Sequence, residues 1–248
     1  MHEAEPKDIM FDEARVEKLK SIKQEPFVVH NFFDDKEIEY LLKKQNEFET
    51  VNKKGLVNNW RYSNQPEFIE WLETKFRTAL KDHEFEMHGG NFFKTNIPFF
   101  VHTDTAKDHN FIPYKNIVVP LINPQEDHPC YTVMFKQRWY GEATMFWKGP
   151  MFLSAKPDYN HKVVDYSALE GYTNKDISVQ EYTRFLTHLP FNNLHGLSID
   201  RVLRWKVGDI LVFDCTQLHS SNDFTRYGSD LPKYALSYFS KLKENNEQ

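Results

Sequence analysis

Cysteine is nearly absent from this chain: 248 residues hold only Cys130 and Cys215. The two stand far apart and form no C-x-x-C pair, so a disulfide framework and a cysteine-built zinc site are both excluded, and a reducing compartment is expected. No apolar run approaches the roughly 20 residues that a membrane span needs. The opening MHEAEPKDIMFDEARVEK is charged where a secretory leader would be apolar, so a cytoplasmic protein is expected. Positive charge is not in excess either. The 31 basic and 36 acidic residues are interspersed and leave a net charge of -5, with no basic stripe to follow a phosphate backbone. Nucleic acid is therefore not an expected partner. Internal repeats and low-complexity tracts are also missing. What is present is 40% hydrophobic and 15% aromatic residues, enough for one domain spanning residues 1–248 with a sizeable core.

Along the chain, residues 1–24 are polar and read as a peripheral segment, with Ile9, Phe11, Val16 and Leu19 as docking positions. Residues 25–33 (EPFVVHNFF) predict a strand. Asp34 with Glu37 then forms a capping box that opens a helix whose Ile38, Leu41 and Leu42 share one face. A second helix is predicted from Pro66, with Phe68, Leu72, Phe76 and Leu80 as its stripe. From Gly89 onward, short β-branched and aromatic segments separated by turn signals predict a barrel or sandwich. Residues 150–200 interrupt that rhythm and read as an insertion, with a capping box at Ser178 and Glu181. Its Tyr159, Tyr166, Tyr172 and Phe185 are candidates for a substrate lid or for packing within the insertion.

Three groups of residues carry chemistry. His102-Thr103-Asp104 closes the strand-like NFFKTNIPFFV, and alternation would turn an imidazole and a carboxylate toward one point. Alone, the pair is also what an ordinary strand-end turn provides, and Asp108 and His109 just beyond are rivals. His219 follows the turn and apolar strand Gly208-Asp209-Ile210-Leu211-Val212-Phe213-Asp214. Two histidines and one carboxylate on one face of a divalent metal leave the other positions open for a chelating ligand and O₂. Lys233 opens the last strand, KYALSYFS, where burying an ammonium is costly unless an anion meets it. Ser237 lies on the same strand face, and Arg226 is the alternative cation.

Taken in order, His102-Thr103-Asp104, the segment Tyr140-Gly141-Glu142-Ala143-Thr144-Met145-Phe146, the Gly208–Phe213 strand, His219 and Lys233 resemble the iron(II)- and 2-oxoglutarate-dependent dioxygenases. The likeness is to the branch of the prolyl and phytanoyl-type hydroxylases in particular. It implies a mainly β fold with flanking helices: a double-stranded β-helix (jelly roll, cupin-like) with N-terminal helices packed on one sheet. It further implies Fe(II) on His102, Asp104 and His219, 2-oxoglutarate paired with Lys233, O₂ as oxidant, and hydroxylation with release of succinate and CO₂. Asn91, Asn96 and Tyr131 are candidate co-substrate contacts. The pattern departs from the family at Tyr140, where the family has glycine, at Ala235, where it has serine, and in the long stretch before the distal strand. The carboxylate of Asp104 disfavours halogenation. A small-molecule substrate is expected ahead of a peptide. The competing readings are a cupin-like binding module without turnover and an iron oxygenase that does not use 2-oxoglutarate.

Overall fold

Apolar residues on both faces of the central segments predict strands buried from two sides, and that burial organises the molecule. A computed structural model describes residues 2–48, 50–52, 57–105, 111–122, 129–148, 161–226 and 232–243. Its elements run β1 (His2–Glu3), α1 (Glu13–Ser21), β2 (Phe27–Val29), α2 (Asp35–Glu47), β3 (Thr50–Asn52), β4 (Val57–Arg61), α3 (Pro66–Phe76), β5 (Phe85–Thr95), β6 (Pro113–Ile122) and β7 (Tyr131–Arg138). There follow β8 (Thr144–Phe146), β9 (His161–Val163), α4 (Val179–Phe185), β10 (Ile199–Arg204), β11 (Ile210–Asp214), β12 (Gln217–Ser221) and β13 (Lys233–Leu242).

The larger sheet has the order β2-β11-β6-β13-β5-β4-β3, antiparallel throughout. Two three-stranded pieces, β10-β7-β12 and β1-β9-β8, make the smaller layer. They are joined through His102, which bridges His219 of β12 on one side and Met145 of β8 on the other.

Alternation along β13 separates two interiors. Tyr234, Leu236 and Tyr238 join Ile38 and Leu41 of α2 and Phe68, Leu72 and Phe76 of α3 in one cluster, so the helices cover the outer face of the larger sheet. Ala235 points the other way, into a cluster with Val118, Met134, Leu203, Leu211 and Phe213 drawn from both layers. Both expected capping boxes are formed, at Asp34/Glu37 and at Ser178/Glu181. The N-terminal segment, expected to be peripheral, contributes Phe11, Leu19 and Ile22 to the helix-side cluster. Residues 161–200 pack against the outer face of the smaller layer, where Tyr166, Leu169 and Ile177 meet Val133 and Phe135.

One strand ends early. Sequence alternation carries β5 through Val101, but the strand stops at Thr95, whose hydroxyl accepts from the backbone of Ile97 at 3.2 Å and donates to its carbonyl at 2.8 Å. Pro98 follows and cannot donate to a ladder, so the chain leaves the larger sheet and crosses to the smaller one. His102 and Asp104 therefore sit on a separate segment and not at the end of β5.

Because Leu72 is fully buried on the inner face of α3, Leu72→Ala is expected to lower unfolding free energy by about 2–5 kcal/mol. Urea denaturation checks this; a loss below 1 kcal/mol would place α3 outside the core.

Candidate metal centre

His102 and His219 form a reciprocal backbone pair: each N–H donates to the other's carbonyl at 3.0 Å. Directly opposed residues in an antiparallel pair point to the same face, and the two rings lie with centroids 4.1 Å apart. Each imidazole is then oriented by its own strand. Nδ1 of His102 donates to the Phe100 carbonyl at 2.7 Å, and Nδ1 of His219 to the Gln217 carbonyl at 3.0 Å. A carbonyl can only accept, so the proton belongs on Nδ1 and the lone pair on Nε2.

Both Nε2 atoms face Asp104, at 3.7 Å from Oδ1 for His102 and 3.1 Å from Oδ2 for His219. One ligand atom from each of the three residues lies within 4.8 Å of the others. Asp104 is itself held: its N–H donates to the Cys215 carbonyl at 3.1 Å, and the Asn116 amide donates to Oδ2. Burial, with the neighbouring His219, pulls the His102 pKa down to about 3 against the attraction of Asp104, so the ring is neutral at physiological pH. Two imidazoles and a carboxylate gathered on one side suit a divalent metal of nitrogen and oxygen preference. Phe99 and Phe213 wall the pair, their ring centroids 4.6 Å from His102 and His219 respectively.

Lys233 enters the inner cluster from the start of β13 and is 5% exposed. Its Nζ lies 4.3 Å from the Trp205 ring centroid and 5.0 Å from that of Phe224, and no carboxylate among the described residues pairs with it. Burial pulls its pKa down to about 8, with Cys130 opposing. A cation held by two aromatic faces without a counter-ion marks a place for an incoming anion.

The other expected site residues separate. Ser237 and Asn91 face each other across β13 and β5, the serine hydroxyl donating to Asn91 Oδ1 at 3.2 Å. Asn96 lies beyond the end of β5 in the crossing segment. Tyr131 is not brought to the site. On β7, Thr132 and Met134 face the inner cluster, while Tyr131 shares the opposite face with Val133 and Phe135 and packs on Phe185 at 5.8 Å. Nor is Arg226, an exposed cation that donates to the Thr183 carbonyl. Asp108, His109 and Tyr159 lie outside the described residues. Sequence reasoning missed Asn116, Trp205 and Phe224. Asn116 carries no signal in NIVVPLI until strand pairing brings it to Asp104.

Neither a protein-family profile nor a curated sequence matches the chain. Solved structures do. The epimerase SnoN, in complex with Fe3+, alpha ketoglutarate and nogalamycin RO, is 14% identical with a TM-score of 0.51, covering 93% of this chain and 84% of its own. HygX from Streptomyces hygroscopicus, with nickel and 2-oxoglutarate bound, is 12% identical with a TM-score of 0.50, covering 94% and 88%. EctD from S. alaskensis, in its apoform, is 12% identical with a TM-score of 0.50, covering 97% and 80%. The likeness is one of fold. It spans 93–97% of this chain. No helix among the described residues is long and apolar enough to cross a membrane.

Since the Asn116 amide holds the Asp104 carboxylate, Asn116→Ala is expected to weaken Fe(II) binding by about 10–100-fold, the usual cost of losing a partner that orients a ligand. Anaerobic calorimetry measures it, and unchanged affinity would show that Asp104 needs no such support.

Proposed function

We propose that the chain is an iron(II)- and 2-oxoglutarate-dependent oxygenase built as a single double-stranded β-helix, or jelly roll, of the prolyl and phytanoyl hydroxylase type. The observation that carries this reading is a pairing of two features: three convergent candidate ligands with Nδ1 of both histidines held by carbonyls, and a buried ammonium on the facing sheet that meets no anion among the described residues. A cupin-like module that only holds a metal would have no use for the second feature.

In this reading His102, Asp104 and His219 hold iron(II) on one side and leave its other positions to ligands. Lys233 pairs with the remote carboxylate of 2-oxoglutarate, and Trp205 and Phe224 exclude water around that ion pair, which strengthens it. Ser237 and Asn91 line the same inner face. When bound, iron, 2-oxoglutarate and O₂ supply the oxidising chemistry that hydroxylates a C–H bond, with release of succinate and CO₂. The protein contributes placement, dryness and substrate orientation. HygX has been crystallised with hygromycin B and SnoN with nogalamycin RO; by analogy the substrate here is a small molecule. The two buried, unpaired thiols suit a reducing, cytoplasmic setting.

Iron(II)-loaded protein exposed to air should convert 2-oxoglutarate to succinate; its complete absence would favour the binding module. Removing the buried cation in Lys233→Ala should cost about 2–5 kcal/mol of co-substrate binding, seen as a KM for 2-oxoglutarate raised by at least about 30-fold. Unchanged turnover would instead indicate an oxygenase that does not use this co-substrate.

The pH dependence has a definite sign. The Lys233 pKa is depressed to about 8 by burial, so the cation is present below that pH and lost above it. Affinity for 2-oxoglutarate should therefore fall as pH rises through 8, approaching about tenfold per unit beyond it. Titration calorimetry on the metal-loaded protein would reveal this slope, and a flat profile from pH 7 to 9.5 would contradict the assignment.

A further inference from the structure

Beside the candidate metal centre, a rung of the larger sheet and the β-bulge next to it carry two polar atoms that have no partner among the described residues. Phe213 pairs with Asn116, Asn116 with Phe239, and Phe239 with Gly89, across β11, β6, β13 and β5. Opposed residues share a face. Phe213 lies against His219, and the Asn116 amide donates to Asp104, so this face is the one that looks at the metal ligands. With its NH₂ committed to a carboxylate, Asn116 presents Oδ1 on its other side. That atom is buried and has no hydrogen-bond partner among the described residues.

His88 supplies the second atom. Phe239 and Ser240 pair with Gly89 and Met87, so His88 is the extra residue of a β-bulge, a device that re-aims a side chain. Its ring lies 6.0 Å from Phe239 and 4.9 Å from Phe111. Its Nε2 is buried and unpartnered among the described residues. Burial pulls its pKa down to about 4, so it is neutral at physiological pH, and the charges acting on it are Asp104 and Lys241. Lys241 is paired with Glu86 at 2.9 Å.

Buried polar groups are costly to leave unpaired, and here two of them flank one aromatic ring beside a metal ligand. Oδ1 of an amide can only accept, so what docks there must bring a hydrogen. A carboxylate brings none. Among the described residues Asp104 is the one carboxylate whose charge acts on His88, and in the oxygenase reading it serves the metal, which leaves an ammonium without a counter-ion. Lys233 stands on the same face of β13 as Phe239 but six residues away, roughly 20 Å along the strand, so co-substrate and docked molecule do not compete for this end.

We propose that Asn116 and His88 orient the substrate of the oxygenase, which is a neutral polyhydroxylated small molecule that donates hydroxyl hydrogens to Asn116 Oδ1 and His88 Nε2 and rests its apolar face on Phe111 and Phe239. This rests on the oxygenase reading above.

The test uses the full chain loaded with Zn(II) and 2-oxoglutarate, with saturation-transfer NMR against inositol and neutral monosaccharides, and in parallel against dicarboxylic acids, free amino acids and a short peptide. In the iron(II) protein the same compounds are scored for stimulation of succinate release. Neutral polyols should bind and stimulate. His88→Leu should weaken polyol binding by about tenfold, leaving metal and 2-oxoglutarate affinity within about twofold, and His88→Gln, which keeps an acceptor, should recover much of the loss. Binding confined to charged compounds, absence of polyol binding, or His88→Leu without effect would each overturn the proposal. Failure of the wild-type protein to bind 2-oxoglutarate would instead remove the oxygenase reading, and this one with it.

Discussion

Two backbone hydrogen bonds, exchanged between His102 and His219 at 3.0 Å each, tie together almost everything that makes this chain more than a β scaffold. They place two imidazoles from distant parts of the sequence side by side. They also join the two halves of the smaller layer, since His102 bridges β12 and β8. Sheet continuity and ligand placement are thus the same interaction, and a change that loosens one loosens the other. The His102 ring, whose pKa burial pulls down to about 3, adds no charge of its own beside His219. Their Nδ1 protons are committed to carbonyls two residues back, so neither ring needs a partner from elsewhere to select its tautomer.

The buried charges divide into two kinds, and the division separates structure from function. Asp214, at the end of β11, accepts from Lys115, from Arg138 and from the backbone of Gln24. Every charge in that network is answered, as interior charges must be if the fold is to tolerate them. Its place is structural: the next residue, Cys215, offers the carbonyl that holds the Asp104 backbone. Lys233 is the contrast, equally buried but met, among the described residues, by the aromatic faces of Trp205 and Phe224 and by no carboxylate. A fold that satisfies three interior charges at Asp214 and leaves Lys233 without a carboxylate among the described residues is what the proposed co-substrate pairing would use.

How much of this could be read in the sequence depended on how local each determinant is. The capping boxes at Asp34 and Ser178 were legible because four consecutive residues specify them. The convergence of His102, Asp104 and His219 was legible because their chemistry is rare in combination and their order along the chain is distinctive. The argument from alternation, however, attached His102 and Asp104 to β5, and the hydroxyl of Thr95 and the ring of Pro98 end that strand first. Tyr131 was misplaced for a related reason. β7 is buried on both faces, so its hydrophobic pattern carries no record of which face looks inward. Asn116 was invisible because one asparagine in an apolar strand acquires meaning only from the residue that pairing sets beside it.

The insertion between β8 and β10 acts from behind the site. Its His188 donates to the Phe99 carbonyl at 3.2 Å, where the Ser220 hydroxyl also donates at 2.7 Å, and the Ser221 hydroxyl accepts from the Phe99 N–H at 2.5 Å. Phe99 is thereby fixed on both sides of its peptide, three residues before His102, after the chain has left β5 and before it enters the smaller layer. A crossing segment with no ladder of its own would otherwise carry His102 on a loose tether. Packing the insertion against the outer face of β7 and β12 supplies the missing restraint. That explains why the residues of this long excursion bury Tyr166, Leu186 and Leu189 as thoroughly as any strand of the core: they brace the segment on which the geometry of His102 and Asp104 depends.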